Sequence, residues 1–269
     1  MRKLLLCPPD YYGIEYEINP WMSRARGADT ALVQEQWRGL HQKLLSLGYE
    51  VHLVPPKPKL PDMVFTANAG LTVGKNFIPS NFRHKERAAE APLFAQWMEE
   101  HGYEIIWLPA DQFFEGEGDA LFAGDVLFCG YKFRTDVVSH RTIAEILKCL
   151  VISVELVDPR FYHIDTCFCP LTDGGAMWFP GAFDEYGQRA IRDRLPNLID
   201  VSEEEAGVFC CNAVVLGQEI VLPQGAPQLV EKLTERGYRC HPLPMTEFLK
   251  AGGACKCLTM HMPQRETAC

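Results

Sequence analysis

The sequence predicts an α/β fold, a five-bladed α/β propeller with pseudo-fivefold symmetry around a central cavity, formed by one domain over residues 1–269. Three observations carry this expectation. A unit made of an extended hairpin, an amphipathic helix and a short strand recurs five times. No low-complexity segment or charge block divides the chain, and Gly and Pro recur at intervals instead of gathering in one linker. The first unit lacks one hairpin strand, and only the far end of the chain can supply it, so the ring closes by pairing the termini. Closure of this kind leaves a cavity on the axis.

In order along the chain, "KLLLCPP" is the first strand, and a helix follows over about 30–46. There Val33, Trp37, Leu40, Leu44 and Leu47 recur at three- and four-residue steps and share one face. The strand "EVHLVPP" ends the unit. The second unit has the extended pair "VFTANAGLTVGKNFIPS", a helix with Leu93, Phe94, Trp97 and Met98 that ends near Gly102, and the strand "YEIIWLP". In the third come "ALFAGDVLFCGY", the helix "VVSHRTIAEILKCL" and "ISVELVDP". The fourth consists of "CFCPLTDGGAMWFPG", "DEYGQRAIRDRL" and "NLIDV", and the fifth of "CCNAVVLGQEIVLPQ", "APQLVEKLTERG" and "YRCHPLP". The strand missing from the first unit is "ACKCLTMHM". Alternation alone also allows an ordinary α/β sheet; the five similar units and the need for the terminal strand favour the ring.

Composition narrows the function. Lys and Arg number 26 against 35 Asp and Glu, a formal charge of −9, which disfavours a nucleic-acid surface and suits small, cationic substrates. No apolar run approaches the ~18 residues of a membrane span, and "MRKLLLCPPDYYG" breaks too early for an export signal, so no membrane partner and a cytoplasmic location are expected. Eleven cysteines, an odd number in a chain of this size, then read as reduced thiols.

Two cysteines, Cys255 and Cys257 in "GGACKCLTM", admit three readings. As zinc ligands with Cys167 and Cys169 they lack the usual two-to-four-residue knuckle, and a disulfide between them is strained. As a nucleophile, Cys257 gains from Gly252 and Gly253, which end a short helix and let the backbone pass close to another group. A nucleophilic thiol needs a proton acceptor and donor. Among eight histidines, His163 in "FYHIDTCFC" stands apart, because on a strand His163 and Asp165 face the same way. A structural histidine is the competing reading. The turn "FFEGEGDALF" places Glu115, Glu117 and Asp119 among glycines, and its aromatic and apolar flanks argue against free solvation. A guanidinium fits such carboxylates because they grip its planar fork in bidentate fashion.

The ordered set "PDMVFTANAG", "NFRHKER", "FEGEGD", "FYHIDT" and "GGACKCLTM" resembles the guanidino-group-modifying enzymes of the pentein superfamily: arginine deiminases, dimethylarginine dimethylaminohydrolases, agmatine deiminases and amidinotransferases. The resemblance spans essentially the whole chain. It implies Cys257 as nucleophile, since Leu258 and Thr259 follow it as in the family, whereas Cys255 does not match. It implies His163 as the catalytic histidine and Asp165 as a guanidinium ligand. It implies Glu115, ahead of Glu117, as the functional carboxylate, although "EGEGD" has one residue more than the family turn, and Asp119 as the motif's final Asp.

One departure matters. The family usually has a carboxylate where this chain has Asn68, and an amide hydrogen-bonds both a guanidinium and a neutral ureido group. "FTANAG" together with "NPWM" looks like the arginine dihydrolase branch, whose members convert arginine to ornithine, carbon dioxide and two ammonia. Asn19 and Arg87 are then expected at the amino-acid end of the substrate, Arg87 on its carboxylate. The implied chemistry needs no metal or organic cofactor, and its partner is a small guanidino compound, arginine. A homo-oligomer is compatible with this reading. Arginine deiminase or dimethylarginine dimethylaminohydrolase activity giving citrulline, and amidino transfer, are the competing activities. A non-catalytic pentein would be expected to lack the Cys and His.

Overall fold

The computed structural model describes residues 2–262; residues 1 and 263–269 of the expected domain span lie outside them. The elements follow the expected order. Strand β1 (Lys3–Leu6), helix α1 (Thr30–Ser46) and β2 (Glu50–Leu53) come first, then β3 (Gly70–Val73), β4 (Asn76–Pro79), α2 (Glu90–Glu100) and β5 (Glu104–Ile105). The third group is β6 (Ala120–Ala123), β7 (Val126–Tyr131), α3 (Val137–Leu147) and β8 (Leu150–Glu155). The fourth is β9 (Phe168–Pro170), β10 (Ala176–Trp178), α4 (Glu185–Arg194) and β11 (Leu198–Asp200). A one-turn helix α5 (Glu203–Ala206) leads to β12 (Val214–Leu216), β13 (Glu219–Pro223), α6 (Pro227–Glu235) and β14 (Arg239–Leu243). A second one-turn helix, α7 (Thr246–Leu249), precedes β15 (Met260–His261).

The strands form five three-stranded sheets, and in each the central strand pairs antiparallel with one neighbour and parallel with the other. The parallel partner is reached through a helix, as a crossover connection requires. The first sheet is completed by the chain end: β15 pairs antiparallel with β1, Leu4 opposite His261 and Leu5 opposite Met260. Helix α1 starts where Asp29 accepts the N–H groups of Ala31 and Leu32, and it buries Val33, Trp37, Leu40 and Leu44 of the expected stripe, while Leu47 caps its C-terminus half-buried. Between helices and sheets lie fully buried Phe77, Phe94, Phe128, Phe168 and Trp178. Each such ring is worth roughly 1.5–3 kcal/mol of transfer free energy. The Phe128 and Phe168 rings, 5.3 Å apart, join the third sheet to the fourth.

The strands β3, β6, β9, β12 and β15 line the central opening, and each is entered through a tight turn. In three of these turns the residue just ahead of the strand donates its N–H to a carbonyl three residues back: Asp119 to Gly116, Cys167 to Ile164 and Thr259 to Lys256. Counted back from the strand start, Asn68, Gly118, Thr166, Asn212 and Leu258 share the second place, and Ala67, Glu117, Asp165, Cys211 and Cys257 the third. The ring therefore brings five turns to its axis, three of them closed by the same hydrogen bond.

These turns correct one expectation. Neither His163 and Asp165 nor Cys255 and Cys257 lie on strands, so two-residue spacing does not put them on one face. Asp165 belongs to a 3₁₀ turn, in which residues two apart point away from each other. Local hydrogen bonds hold the wound form: Thr166 Oγ1 donates to the His163 carbonyl (2.7 Å) and Thr259 Oγ1 to that of Lys256 (3.0 Å).

Candidate active site

A small cavity opens among these turns, lined by Ile18, Asn19, Met22, Asp62, Phe65, Asn68, Arg87, Arg134, Tyr162, Ala251 and Cys257. The turn that carries Cys257 depends on its glycines. Gly252 has φ +82, and a Cβ on Gly253 would lie 2.5 Å from the Phe65 ring, so only glycine lets the chain pass here. Tyr162 donates its hydroxyl to the Gly252 carbonyl at 2.8 Å, and the Ala67 N–H donates to the Cys257 carbonyl at 3.0 Å.

Around the sulfur the contacts are polar. The Cys257 thiol donates to Asp165 Oδ2 at 3.3 Å, while Asn212 Nδ2 donates to Sγ at 3.0 Å. His163 lies on the same segment as Asp165, and its Nε2 is 2.8 Å from Glu115 Oε2. Glu115 also accepts from Arg134 Nη1 at 2.9 Å and from the Arg83 N–H at 3.3 Å. Glu117 faces the other way, toward the central opening, where it accepts from Lys256 Nζ (2.7 Å) and from the backbone N–H of His261. Of the two glutamates, Glu115 is therefore the one against the histidine. Asp119 has both oxygens engaged, by Thr135 Oγ1 at 2.7 Å and by the Ile164 N–H at 3.2 Å, which anchors the segment after His163.

Also in the cavity wall is Arg87, which Glu90 grips with two bonds, Nε to Oε1 at 2.9 Å and Nη2 to Oε2 at 2.7 Å. Arg87 Nη1 donates to Asn68 Oδ1 at 2.7 Å. Because a guanidinium only donates, this contact fixes the Asn68 oxygen toward Arg87 and turns its NH₂ away. Asn19 accepts the N–H groups of Trp21 and Met22 through Oδ1 and donates to the Ala251 carbonyl at 3.0 Å, tying the 19–22 loop to the turn before Cys257.

Three polar cavity residues were not singled out in the sequence: Asp62, Arg134 and Tyr162. Asp62 lies 3.9 Å from Arg87 Nε. Arg134 stacks on the Tyr162 ring at 4.5 Å and donates to Glu115 and to the Ile18 carbonyl. Asn212, beside the sulfur, was also missed; its place in the ring matches that of Asn68, and that register was the available signal.

Four buried polar atoms here have no partner: Asp62 Oδ1, Asn68 Nδ2, His163 Nδ1 and Asp165 Oδ1. Two acceptors, a donor and an imidazole nitrogen left unpaired make the site a receptor for a polar ligand. Burial raises Asp165 to about 7 against the pull of Lys256, and it also raises Asp62. Burial lowers His163 to about 4, with Glu115 opposing, so the free site holds a neutral imidazole. Burial acts to raise Glu115, but Arg134 and the His163 hydrogen bond outweigh it and hold this carboxyl well below its usual range. Burial, followed by the Asp165 charge, pushes the Cys257 thiol well above its ordinary value. The free site thus holds a thiol, and a cation bound beside it favours the thiolate. Among the described residues no group of three or more His, Cys, Asp or Glu side chains is placed to hold a metal ion, and no helix is long and apolar enough to cross a membrane.

A closed ring of five such sheets around a buried thiol and imidazole defines the pentein fold. The family model for eukaryotic N,N dimethylarginine dimethylhydrolase matches residues 18–263, and the chain belongs to this family. It is 47% identical over 267 residues to the bifunctional arginine dihydrolase/ornithine cyclodeaminase ArgZ of Synechocystis sp., covering 97% of this chain but only 38% of that protein's length. It is 39% identical to the N(G),N(G)-dimethylarginine dimethylaminohydrolase of Mycobacterium tuberculosis, covering 97% of this chain and 86% of the relative. A crystal structure of the N-terminal domain of ArgZ, a cysteine-to-serine mutant bound to substrate, superposes with TM-score 0.95 at 45% identity, covering 99% of this chain and 100% of that one.

Proposed function

We propose that this chain hydrolyses L-arginine to L-ornithine, carbon dioxide and two ammonia, through covalent adducts on Cys257. The observation that carries the two-step reading is Asn68, a buried residue that lines the same cavity as the thiol and whose amide NH₂ has no partner. A carboxylate in its place could accept hydrogen bonds but not donate one. The free amide N–H suits the oxygen of the neutral ureido intermediate, which must be held for a second hydrolysis, and the guanidinium itself is left to Asp165. Likeness to an arginine dihydrolase supports the same reading.

The amino-acid end of arginine lies at Asp62, Arg87, Arg134 and Asn19. Asp62 takes the α-ammonium, and the arginines take the α-carboxylate. Arg134 spends two of its five N–H groups on Glu115 and the Ile18 carbonyl, which leaves it the freer donor; Arg87 is largely committed to Glu90 and Asn68. Asp165 receives the guanidinium beside Cys257. Glu115 positions His163 and supports the imidazolium when it forms, and Asp119 holds the backbone behind it.

In the first cycle the thiol proton passes through His163 to a departing amino group as Cys257 bonds to the guanidinium carbon, and ammonia leaves. Water, deprotonated by His163, attacks the S-alkylthiouronium, and the C–S bond breaks to give the ureido compound. In the second cycle the sulfur attacks the ureido carbon, the second ammonia leaves, and water releases a carbamate that breaks down to ornithine and carbon dioxide. The chain works as one domain in a reducing compartment, the cytoplasm, since a nucleophilic thiol must stay reduced. Incubation of purified protein with arginine, followed by product mass spectrometry and ammonia assay, tests the reading. Ornithine with two ammonia supports it; citrulline with one ammonia means that the site stops after the first cycle; no turnover sinks both.

A further inference from the structure

We propose that Asn212 is a further catalytic residue, whose side-chain N–H stabilises the Cys257 thiolate while its carbonyl fixes the turn that presents the sulfur. This rests on Cys257 as the nucleophile. Asn212 is fully buried at the head of β12, two places before the strand. Its Oδ1 accepts two backbone N–H groups, from Cys257 at 3.0 Å and from Ala254 at 3.1 Å. Both partners only donate, so the oxygen must face them and the NH₂ must face the sulfur. Nδ2 then donates to Cys257 Sγ at 3.0 Å and to the Asp165 carbonyl at 3.1 Å. The Asn212 carbonyl accepts the Lys256 N–H at 3.2 Å, so one residue clamps the turn at three backbone N–H groups.

The electrostatic setting gives the amide its importance. Asp165 faces the sulfur from the turn before β9 and disfavours a thiolate, as does burial. Tyr162 lies on the same segment, and Arg87 and Arg134 stand in the cavity wall. Lys256, the nearest cation in sequence, spends its ammonium on Glu117 and the Thr259 carbonyl. Among the described residues, Asn212 Nδ2 is the one side-chain donor bonded to the sulfur. An N–H bond to a thiolate is stronger than the same bond to a thiol, so the contact strengthens as the thiol proton leaves for His163 and its energy appears in the transition state.

The test measures alkylation of Cys257 by iodoacetamide across pH, read by mass spectrometry on the peptide that contains it, beside kcat and KM for arginine. Asn212→Asp keeps the shape and the acceptor for both N–H groups but replaces the donor at the sulfur. The expected result is an alkylation midpoint at least about one pH unit higher and kcat lower by about 100-fold, with KM within about threefold. Asn212→Ser, which cannot reach the sulfur, is expected to shift the midpoint the same way and serves if the aspartate variant does not fold. Wild-type pH dependence of alkylation in a folded variant, with kcat within about twofold, overturns the proposal. Alkylation needs no arginine, so a protein inactive on arginine would refute the proposed function while leaving this test intact.

Discussion

Asn68→Asp separates the two hydrolyses. In the native site Asn68 Oδ1 accepts from Arg87 Nη1 at 2.7 Å, and Nδ2 waits unpaired. The substitution preserves the acceptor toward Arg87 and turns the free donor into a second acceptor. For the guanidinium this adds a carboxylate to the site, so the first cycle survives. For the ureido oxygen it removes a hydrogen bond worth about 1 kcal/mol and leaves two acceptors facing each other, at a further 1–3 kcal/mol. Together these costs reach about 2–4 kcal/mol, or roughly 30- to 1,000-fold in the second hydrolysis. The assay is the ornithine-to-citrulline ratio by mass spectrometry with ammonia counted per arginine consumed. The variant is expected to release citrulline and one ammonia. Two ammonia per arginine with no free citrulline would refute the role given to the amide.

Other outcomes follow from the same contacts. Asp165, raised to about 7 from an ordinary 3.8, holds a proton in the folded state that the unfolded chain has lost, so it weakens stability as pH rises from about 4 to 7; bound guanidinium drives that proton off. KM for arginine should fall as pH rises through 7 and lose this dependence in Asp165→Asn; a wild-type KM that is flat across that range contradicts the assignment. Glu117, lowered to about 2 from 4.5, stabilises the fold fully above 4.5, and that stability is lost as pH falls toward 2. Glu117→Gln strands the buried Lys256 ammonium and should cost about 3–5 kcal/mol in unfolding at pH 7, with the gap to wild type closing in acid; equal Tm values at pH 7 would count against it. Gly118→Ala puts a Cβ 2.2 Å from Asn68 Nδ2 and 3.3 Å from the His163 ring, so kcat/KM should drop by about 100-fold, and an unchanged value would show that neither group needs its present position.

The ring was legible because its signals are periodic. The α1 stripe recurs every three or four residues, hairpins carry turn residues, and the missing first strand pointed to the C-terminus. The axial turns were not legible in the same way. They are three or four residues long and carry no period of their own, so "HID" and "CKC" read as strand alternation. The thiol, the imidazole and Asn68 lie in recognisable motifs. Asp62 lay inside a quoted motif but was passed over for Asn68, and Arg134 sits in "KFRTD", which has no local signature. Asn212 stood behind two cysteines that drew attention to thiols. Its role depends on a turn from residues 254–257, 42 to 45 positions away in sequence, and such pairing is set by the closure of the ring, not by local pattern. The same holds for the pairing of Glu115 with His163, 48 residues apart.

The central claim is that one sulfur carries both covalent steps. Rapid acid quench of the enzyme during arginine turnover, followed by peptide mapping, tests it most directly. The account predicts arginine-derived adducts on Cys257 alone, an amidino form from the first cycle and a carbamoyl form from the second, and neither in Cys257→Ser. An adduct on another residue, or turnover that persists in Cys257→Ser, would contradict it.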